Sequence, residues 1–284
     1  MENVLRTLIY DDEVSLTIAD TTALVEEGRR LHGLSPASTR VFGKALSVMA
    51  FMSACLKEKR GEISFSVKGN GEGGEICVSG NFDMRIRGYI QNTSVQHTPN
   101  SEQNCLGTDG SITVVRQDGY SRPFVGACAL PQSGKLDEAF EEYYAISEQL
   151  PTHIATVVEL DEGGRCVFAG VCVLQPLPFV SQKTLDKMPI GEPLYEIVKD
   201  IKTLGIHETA KARFCVEEEK IQFSCAEYKC NCSRSYLTGV LVTLGENQLR
   251  EMIAEDGQIS LHCHYCNSDY VFNGEDVDKI FPKG

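Results

Sequence analysis

Two short stretches near the carboxyl end decide how this chain is organised: Lys229-Cys230-Asn231-Cys232-Ser233-Arg234 and His262-Cys263-His264-Tyr265-Cys266-Asn267. They contain a Cys-x-Cys pair and a Cys-x-x-Cys pair, and the connector between them is long enough to fold back on itself. A tetrahedral zinc ion needs four ligands, which neither pair supplies alone. We therefore predict that Cys230, Cys232, Cys263 and Cys266 bind one Zn²⁺ ion per chain. His262 and His264 are alternative ligands, although four sulfurs already complete the set.

The whole chain has the composition of a globular protein. Its 284 residues are 42% hydrophobic and 24% charged, which is enough material for a large core or for several smaller domains. It contains no run of about 20 apolar residues, and its first residues lack the basic and apolar regions of a secretion signal. We therefore expect a cytoplasmic protein with no membrane partner. Its 12 cysteines should then be reduced, which favours metal or redox chemistry over structural disulfides.

The charge balance argues against a nucleic-acid partner. The formal net charge is -13, whereas binding to phosphates depends on clustered lysine and arginine. A zinc-binding module that recognises nucleic acid is thus the weaker alternative, and basic patches can still exist locally.

Hydrophobic patterning predicts an α+β protein whose residues 1–178 form an N-terminal mixed α/β core domain. Two helices are predicted, one after Thr21-Thr22 and one from Ser35-Pro36, and an acidic helix is predicted over Lys135–Leu150 with Ile146 on its apolar face. Strands are expected at 4–10, 14–19, 62–68, 75–78, 84–90, 153–158 and 166–174, with two more inside 107–130. The pair of prolines in Gln175-Pro176-Leu177-Pro178 marks the end of this domain.

Two smaller regions are predicted to follow. Residues 179–227 form a helical linker region, in which a helix starts at Pro193, ends at Gly205 and carries an apolar stripe that must lie against another part of the chain. Residues 228–284 form a small C-terminal zinc-binding domain with helices over 235–244 and 246–255, followed by a hairpin that carries Cys-x-x-Cys. A unit of this size is marginal without its metal, so the state of the thiols should control its folding.

Other chemistry is less well supported by the sequence. Gly69-Asn70-Gly71-Glu72-Gly73-Gly74 matches a dinucleotide-binding pattern, but a strand follows it where phosphate binding needs a helix. Four sulfur ligands leave zinc no open position for a reacting water, and a thiol oxidoreductase would carry Cys263-x-x-Cys266 at a strand-to-helix junction. We therefore do not expect an enzyme. Cys215 and Cys225 remain candidates for an additional redox role.

Several stretches along the chain resemble the 33 kDa chaperonin family, the redox-regulated heat-shock holdases. They are Leu34-Ser35-Pro36, Gly69-Asn70-Gly71, Arg87-Gly88-Tyr89, Ser147-Glu148-Gln149 with Pro151-Thr152, Cys230-x-Cys232-Ser233, and Cys263-x-x-Cys266-Asn267. The resemblance implies a core domain, a linker and a zinc-binding redox switch over 228–284.

The same resemblance implies an ATP-independent chaperone that binds unfolded or partly unfolded client proteins under oxidative stress. In the reduced state Cys230, Cys232, Cys263 and Cys266 would bind Zn²⁺ and the protein would be inactive. Oxidation would form the disulfides Cys230–Cys232 and Cys263–Cys266, release zinc, unfold the switch and loosen the linker. The oxidised chain would then form a homodimer and expose the client-binding surface.

Overall fold

A computed structural model describes residues 2–281, and the chain divides into two compact units, Met1–Tyr228 and Lys229–Gly284. Both units combine helices with strands that are mainly antiparallel, which confirms the α+β class. The predicted core, 1–178, and the predicted linker, 179–227, both lie in the first unit, and their separation stays a prediction.

The first unit contains seventeen α-helices and β-strands among the described residues, and most of the predicted helices and strands of the core are confirmed. In chain order these elements are β1 (Val4–Ile9), β2 (Val14–Asp20), α1 (Thr22–His32), α2 (Pro36–Ala54), β3 (Glu62–Gly69), β4 (Glu75–Asn81), β5 (Arg85–Ile90), α3 (Ser101–Leu106), β6 (Gly110–Gln117), β7 (Phe124–Ala129), α4 (Leu136–Tyr143), β8 (His153–Leu160), β9 (Cys166–Pro176), α5 (Gln182–Leu185), α6 (Glu192–Phe214), β10 (Gln222–Ser224) and β11 (Glu227–Tyr228).

Two sheets form the frame of this unit. The first has the order β10-β1-β2-β9-β8, and the second has the order β11-β5-β4-β3-β6-β7. One edge strand of each sheet, β10 or β11, comes from the stretch just before the cysteine pairs. β10 pairs with β1 so that Ser224 lies opposite Val4, and β11 runs parallel to β5 with Glu227 opposite Arg85. The end of the predicted linker therefore contributes an edge strand to each of the two sheets.

The long helix α2 lies in the apolar core between the two sheets. Ser35 caps it by accepting a hydrogen bond from the Ser38 backbone N–H at 3.3 Å, and Pro36 occupies its first turn, as predicted. Fifteen of its residues are buried, on all sides of the helix, and Phe42, Met49 and similar side chains belong to one core cluster with both sheets. A helix that is apolar all round must be buried in this way.

Helix α6 covers the opposite face of the first sheet. Its predicted apolar stripe is confirmed, because Leu194, Ile197 and Ile201 are buried in a second core cluster with residues of β1, β2 and β9. Gly205 has φ 80° and ψ 167° and ends the first helical segment, as predicted. The sequence interpretation missed that a second segment follows directly and continues to Phe214.

A buried polar network ties α6 to the core. Asp137 on α4 is 1% exposed and accepts hydrogen bonds from the Tyr195 hydroxyl at 2.8 Å and the Thr156 hydroxyl at 2.6 Å. Lys44 Nζ lies 3.6 Å from Asp137 and 2.8 Å from Glu102. Burial alone would lower the pKa of Lys44, but the two carboxylates outweigh that effect and raise it. The acid is thus both paired and hydrogen-bonded, as a buried charge must be.

The predicted acidic helix over Lys135–Leu150 is wrong in its second half. The α-helix ends at Tyr143 and gives way to a π-helical turn, Tyr144–Glu148, which rotates the following side chains. Ile146, predicted on the apolar face, is consequently 65% exposed.

The second unit is small. Its elements are α7 (Arg234–Leu244), α8 (Glu246–Asp256), β12 (Ile259–Cys263), β13 (Ser268–Phe272) and α9 (Gly274–Ile280). The two predicted helices and the hairpin are confirmed, and α9 was not predicted. Within the described part of this unit, residues 229–281, the buried core consists of Leu241, Leu249, Ile259, Phe272 and Val277.

Candidate metal centre

The two cysteine pairs lie on different local structures of the second unit. Cys230 and Cys232 lie in a segment without regular structure that ends at Ser233, whose hydroxyl caps α7 by accepting a hydrogen bond from the Tyr236 N–H at 3.1 Å. Cys263 ends β12, and Cys266 lies in the turn before β13. Each pair is therefore fixed by the start or end of an element that belongs to the small core.

The hairpin turn that carries the second pair has a defined backbone geometry. The Asn267 N–H donates to the Cys263 carbonyl at 2.8 Å, and Asn267 itself has φ 53°, a left-handed conformation that asparagine tolerates. The predicted hairpin context is thus confirmed, in contrast to the strand-to-helix junction of a thioredoxin-like site.

All four predicted ligand atoms come together. The sulfurs of Cys230, Cys232, Cys263 and Cys266 lie within 4.8 Å of one another, and this group contains neither His262 nor His264. Cys230 Sγ is 3.7 Å from Cys263 Sγ, and Cys232 Sγ is 3.0 Å from Cys266 Sγ. Zinc–sulfur bonds of about 2.3 Å in a tetrahedron place sulfurs about 3.8 Å apart. The donor set and the Cys230–Cys263 separation therefore fit a metal ion of the zinc type with all four positions filled by protein, and the sulfurs of Cys232 and Cys266 would move apart slightly to accommodate it.

Hydroxyl groups surround the sulfurs. The Tyr270 hydroxyl lies 3.3 Å from Cys232 Sγ, and Ser268 Oγ lies 3.4 Å from Cys266 Sγ. The hydrogen bond with Cys232, followed by burial, raises the pKa of Tyr270 to about 12, so this hydroxyl stays protonated at neutral pH. Burial also raises the pKa of the Cys232 and Cys263 thiols. A bound cation would offset this cost by stabilising the thiolates.

Charged neighbours of the site brace the small unit. Arg234 donates to the Val271 carbonyl at 2.8 Å, pairs with Asp276 at 2.8 Å and stacks over Phe272 with its guanidinium carbon 4.3 Å from the ring centre. It thereby joins the start of α7 to β13 and α9. His262 Nδ1 lies 2.7 Å from an Asp269 carboxylate oxygen, so this histidine has a partner outside the sulfur cluster.

The remaining cysteines fall into three groups by exposure. Cys105, Cys128, Cys166 and Cys172 are buried, and Cys55 and Cys77 are partly exposed. Burial raises the pKa of Cys105 and Cys166 to about 12, which keeps them as unreactive thiols at neutral pH. The four buried cysteines belong to the two apolar clusters of the first unit. Cys215 and Cys225 are both exposed, and their redox role stays a prediction.

Among residues 2–281, no helix is both long enough and apolar enough to span a membrane.

The fold and the site together define a class of protein: a two-sheet α+β unit followed by a small unit that gathers four cysteine sulfurs. A family model described as Hsp33 protein matches residues 2–273. This chain belongs to the Hsp33 family, which is a family of chaperones.

Named relatives agree with that assignment along the full length. A 33 kDa chaperonin of Bacillus licheniformis is 28% identical over 99% of this chain and 99% of its own length. One from Alkaliphilus oremlandii is 30% identical over 98% of this chain and 95% of its own. The crystal structure of a 33 kDa chaperonin from Thermotoga maritima, a heat shock protein 33 homologue, has a TM-score of 0.81 at 25% identity and covers 98% of this chain and 97% of its own.

Proposed function

We propose that this chain is a redox-regulated, ATP-independent holdase that binds unfolding client proteins when its four clustered cysteines are oxidised. The observation that carries the proposal is the gathering of Cys230, Cys232, Cys263 and Cys266 within 4.8 Å in a unit whose core has only five buried side chains. Membership in a chaperone family supports the proposed chaperone activity, and the cysteine cluster supports its proposed regulation by oxidation.

In the reduced state the four sulfurs hold the second unit together. Zn²⁺ bound there would keep them as thiolates and would contribute folding free energy, about 10 kcal/mol or more in small zinc peptides. Cys230 and Cys232 then fix the segment before α7, and Cys263 and Cys266 fix the hairpin. Because the sulfurs are thiolates, they are also the groups that peroxide oxidises.

Oxidation removes the ligands. Each pair of thiolates loses two electrons to one hydrogen peroxide, which takes up two protons from water and becomes two waters as one S–S bond forms. We propose the bonds Cys230–Cys232 and Cys263–Cys266. Cys232 and Cys266 are also close, at 3.0 Å, so peptide mapping of the oxidised protein is needed to distinguish the two pairings.

We propose that the second unit unfolds when it loses its metal, and that this unfolding loosens the linker, residues 179–227. Tyr228 ends β11, only two residues before Cys230, and the preceding strand β10 and helix α6 cover the edge and one face of the first sheet. If this cover detaches, Leu16, Ile18 and Leu174 become exposed as part of an apolar surface for clients. We further propose that the oxidised chain forms a homodimer and that the protein works in the cytoplasm.

The proposal is tested by following three quantities together during oxidation: zinc release, free thiols and suppression of client aggregation. Reduced, zinc-loaded protein should not protect a thermally denatured client, whereas peroxide with mild heat should release zinc, consume four thiols and produce protection. Equal protection by the reduced form would show that the cysteine cluster is not a switch.

A further inference from the structure

The chain passes from one sheet to the other just before the second unit begins. β10 is an edge strand of the first sheet, and β11 is an edge strand of the second. Between them, Ala226 is 5% exposed and bonds twice to the side chain of Asn3. Its N–H donates to Asn3 Oδ1 at 2.7 Å, and its carbonyl accepts from Asn3 Nδ2 at 3.0 Å. The crossover between the sheets is therefore fixed to the first unit independently of the two strands.

The two strands lie against different parts of the first unit. Phe223 of β10 contacts α6, because its ring centre is 5.9 Å from that of His207. Tyr228 of β11 packs on α1 instead, with its ring centre 6.4 Å from that of His32. A Cβ added to Gly28, also on α1, would lie 3.2 Å from Tyr228 Cε2. β10 thus belongs with the helix that covers the first sheet, whereas β11 is held by α1 and β5.

The backbone pairing of β11 is short. Glu227 lies opposite Arg85 and Tyr228 lies opposite Ile86, which is the whole of the parallel pairing with β5. The Glu227 N–H also donates to the Met84 carbonyl at 3.1 Å. Each backbone hydrogen bond contributes modestly to stability, because it replaces a bond with water. A strand of two residues therefore needs a further anchor.

The Tyr228 hydroxyl provides this anchor. It donates to the Gly88 carbonyl at 2.7 Å and accepts from the Gly88 N–H at 3.3 Å, just beyond the end of the pairing with β5. Gly88 is buried, and buried backbone groups need hydrogen-bond partners. The hydroxyl therefore supplies both bonds that a longer edge strand would give to Gly88.

His32 completes the hydrogen bonding of this hydroxyl. Its Nε2 lies 3.0 Å from the tyrosine oxygen. Because the Gly88 carbonyl can only accept, the hydroxyl proton is used there, and Nε2 must donate to the oxygen. The His32 ring lies edge-on against Phe42 of α2, with ring centres 5.9 Å apart. One hydroxyl thereby joins β11 to β5, to α1 and, through His32, to the buried helix α2.

We propose that these hydrogen bonds of Tyr228 with Gly88 and His32 form a latch, whose opening is a separate step between unfolding of the second unit and loosening of α6. Lys229 alone separates Tyr228 from Cys230 in the sequence. When the second unit unfolds, β11 becomes the last ordered element of the chain, and terminal elements open first. The latch rests on the proposed redox switch and sets the delay between zinc release and client binding.

The test compares Tyr228→Phe with the wild type as full-length, reduced, zinc-loaded protein. The substitution removes one hydroxyl and keeps the ring on α1. Amide exchange at Glu227, measured by NMR, should become about fivefold faster or more, as expected for the loss of hydrogen bonds. Exchange over 206–214 of α6 and the zinc content should keep their wild-type values. Tyr120→Phe is the matched control, because its side chain is 73% exposed, and it should leave exchange at Glu227 unchanged.

Oxidative activation provides the second measurement. After addition of peroxide at a fixed, mildly elevated temperature, zinc release should proceed at the same rate in Tyr228→Phe and in wild type. The delay between zinc release and client protection should be shorter in the variant by a factor similar to the change in exchange. His32→Phe keeps an aromatic ring beside Phe42 but removes the donor, and it decides the question if Tyr228→Phe does not fold.

The latch is overturned if exchange at Glu227 is unchanged in the folded variants, or if it is faster while the delay stays the same. Equally faster exchange over 206–214 would also overturn it, because β11 and α6 would then open together. A wild-type protein that oxidation does not activate would refute the redox-regulated holdase. If zinc chelation of that protein still opened Glu227 before 206–214, the latch would stand without the proposed function.

Discussion

At the scale of single residues, Cys263 and Cys225 have the same chemistry but different surroundings. Cys263 Sγ lies 3.7 Å from Cys230 Sγ inside the sulfur cluster, whereas Cys225 is exposed and outside it. Cys263→Ser leaves three sulfurs and one weaker ligand, and we expect zinc to be lost on gel filtration. Cys225→Ser should retain one zinc per chain. Metal content and chelator competition measure both variants, and full zinc retention by Cys263→Ser would refute the ligand set.

The same scale shows what a sequence can and cannot predict about a site. The four candidate ligands could be proposed because their spacing is itself the signal. The buried Cys105, in contrast, lies between Asn104 and Leu106 in a polar stretch that gives no sign of its burial. The contact between Tyr195 and Asp137 could not be found, because the two residues are far apart in sequence and each alone is an ordinary helix residue. Tyr195 and Asp137 come into contact only because α6 packs on the core.

At the scale of elements, Gly205 controls the path of α6. Its φ of 80° and ψ of 167° belong to a region that only glycine enters easily, and this break lets two helical segments lie on one sheet. Gly205→Ala should therefore destabilise the packing of α6 by about 1–3 kcal/mol. We expect a lower urea midpoint and faster amide exchange over 206–214 in the zinc-loaded protein.

A second glycine provides the control. Gly239 lies inside α7, and a methyl group there would meet no atom within 4 Å. Gly239→Ala should stabilise its helix by about 0.5–1 kcal/mol, since alanine is the better helix former. An unchanged urea midpoint in Gly205→Ala would mean that α6 can pack on the first sheet without the break in the helix at residue 205.

Elements were predictable to the degree that their patterns are long. The hairpin β1–β2 and helix α2 carry many periodic residues, and both were correctly placed. β10 and β11 have three and two residues, too few for any period, and they are strands only because β1 and β5 offer them edges. The π-helical turn Tyr144–Glu148 interrupts an otherwise helical pattern, so Ile146 was assigned to the wrong face.

At the scale of the whole molecule, removal of the metal should separate the stabilities of the two units. The first unit has two large apolar clusters that contain none of the four proposed ligands, whereas the second unit has five buried side chains among its described residues. We propose that the second unit therefore depends on its metal-bound sulfurs. Surface ion pairs such as Arg250–Asp278 and Arg234–Asp276 add little to this stability, because water screens their charges.

We therefore expect a strong zinc chelator under reducing conditions to unfold α7, α8 and the β12–β13 hairpin while β2 and β9 keep their protection from amide exchange. Added Zn²⁺ should restore the second unit, whereas Mg²⁺ should not, because it prefers oxygen ligands. The protection of α6 from amide exchange in the metal-free, reduced chain then distinguishes two mechanisms of activation. If α6 loses its protection, metal release alone loosens the linker. If α6 keeps its protection, disulfide formation is also required. If the second unit stayed protected from amide exchange without metal, its folding would not depend on metal binding by its thiolates, which would contradict the proposed coupling.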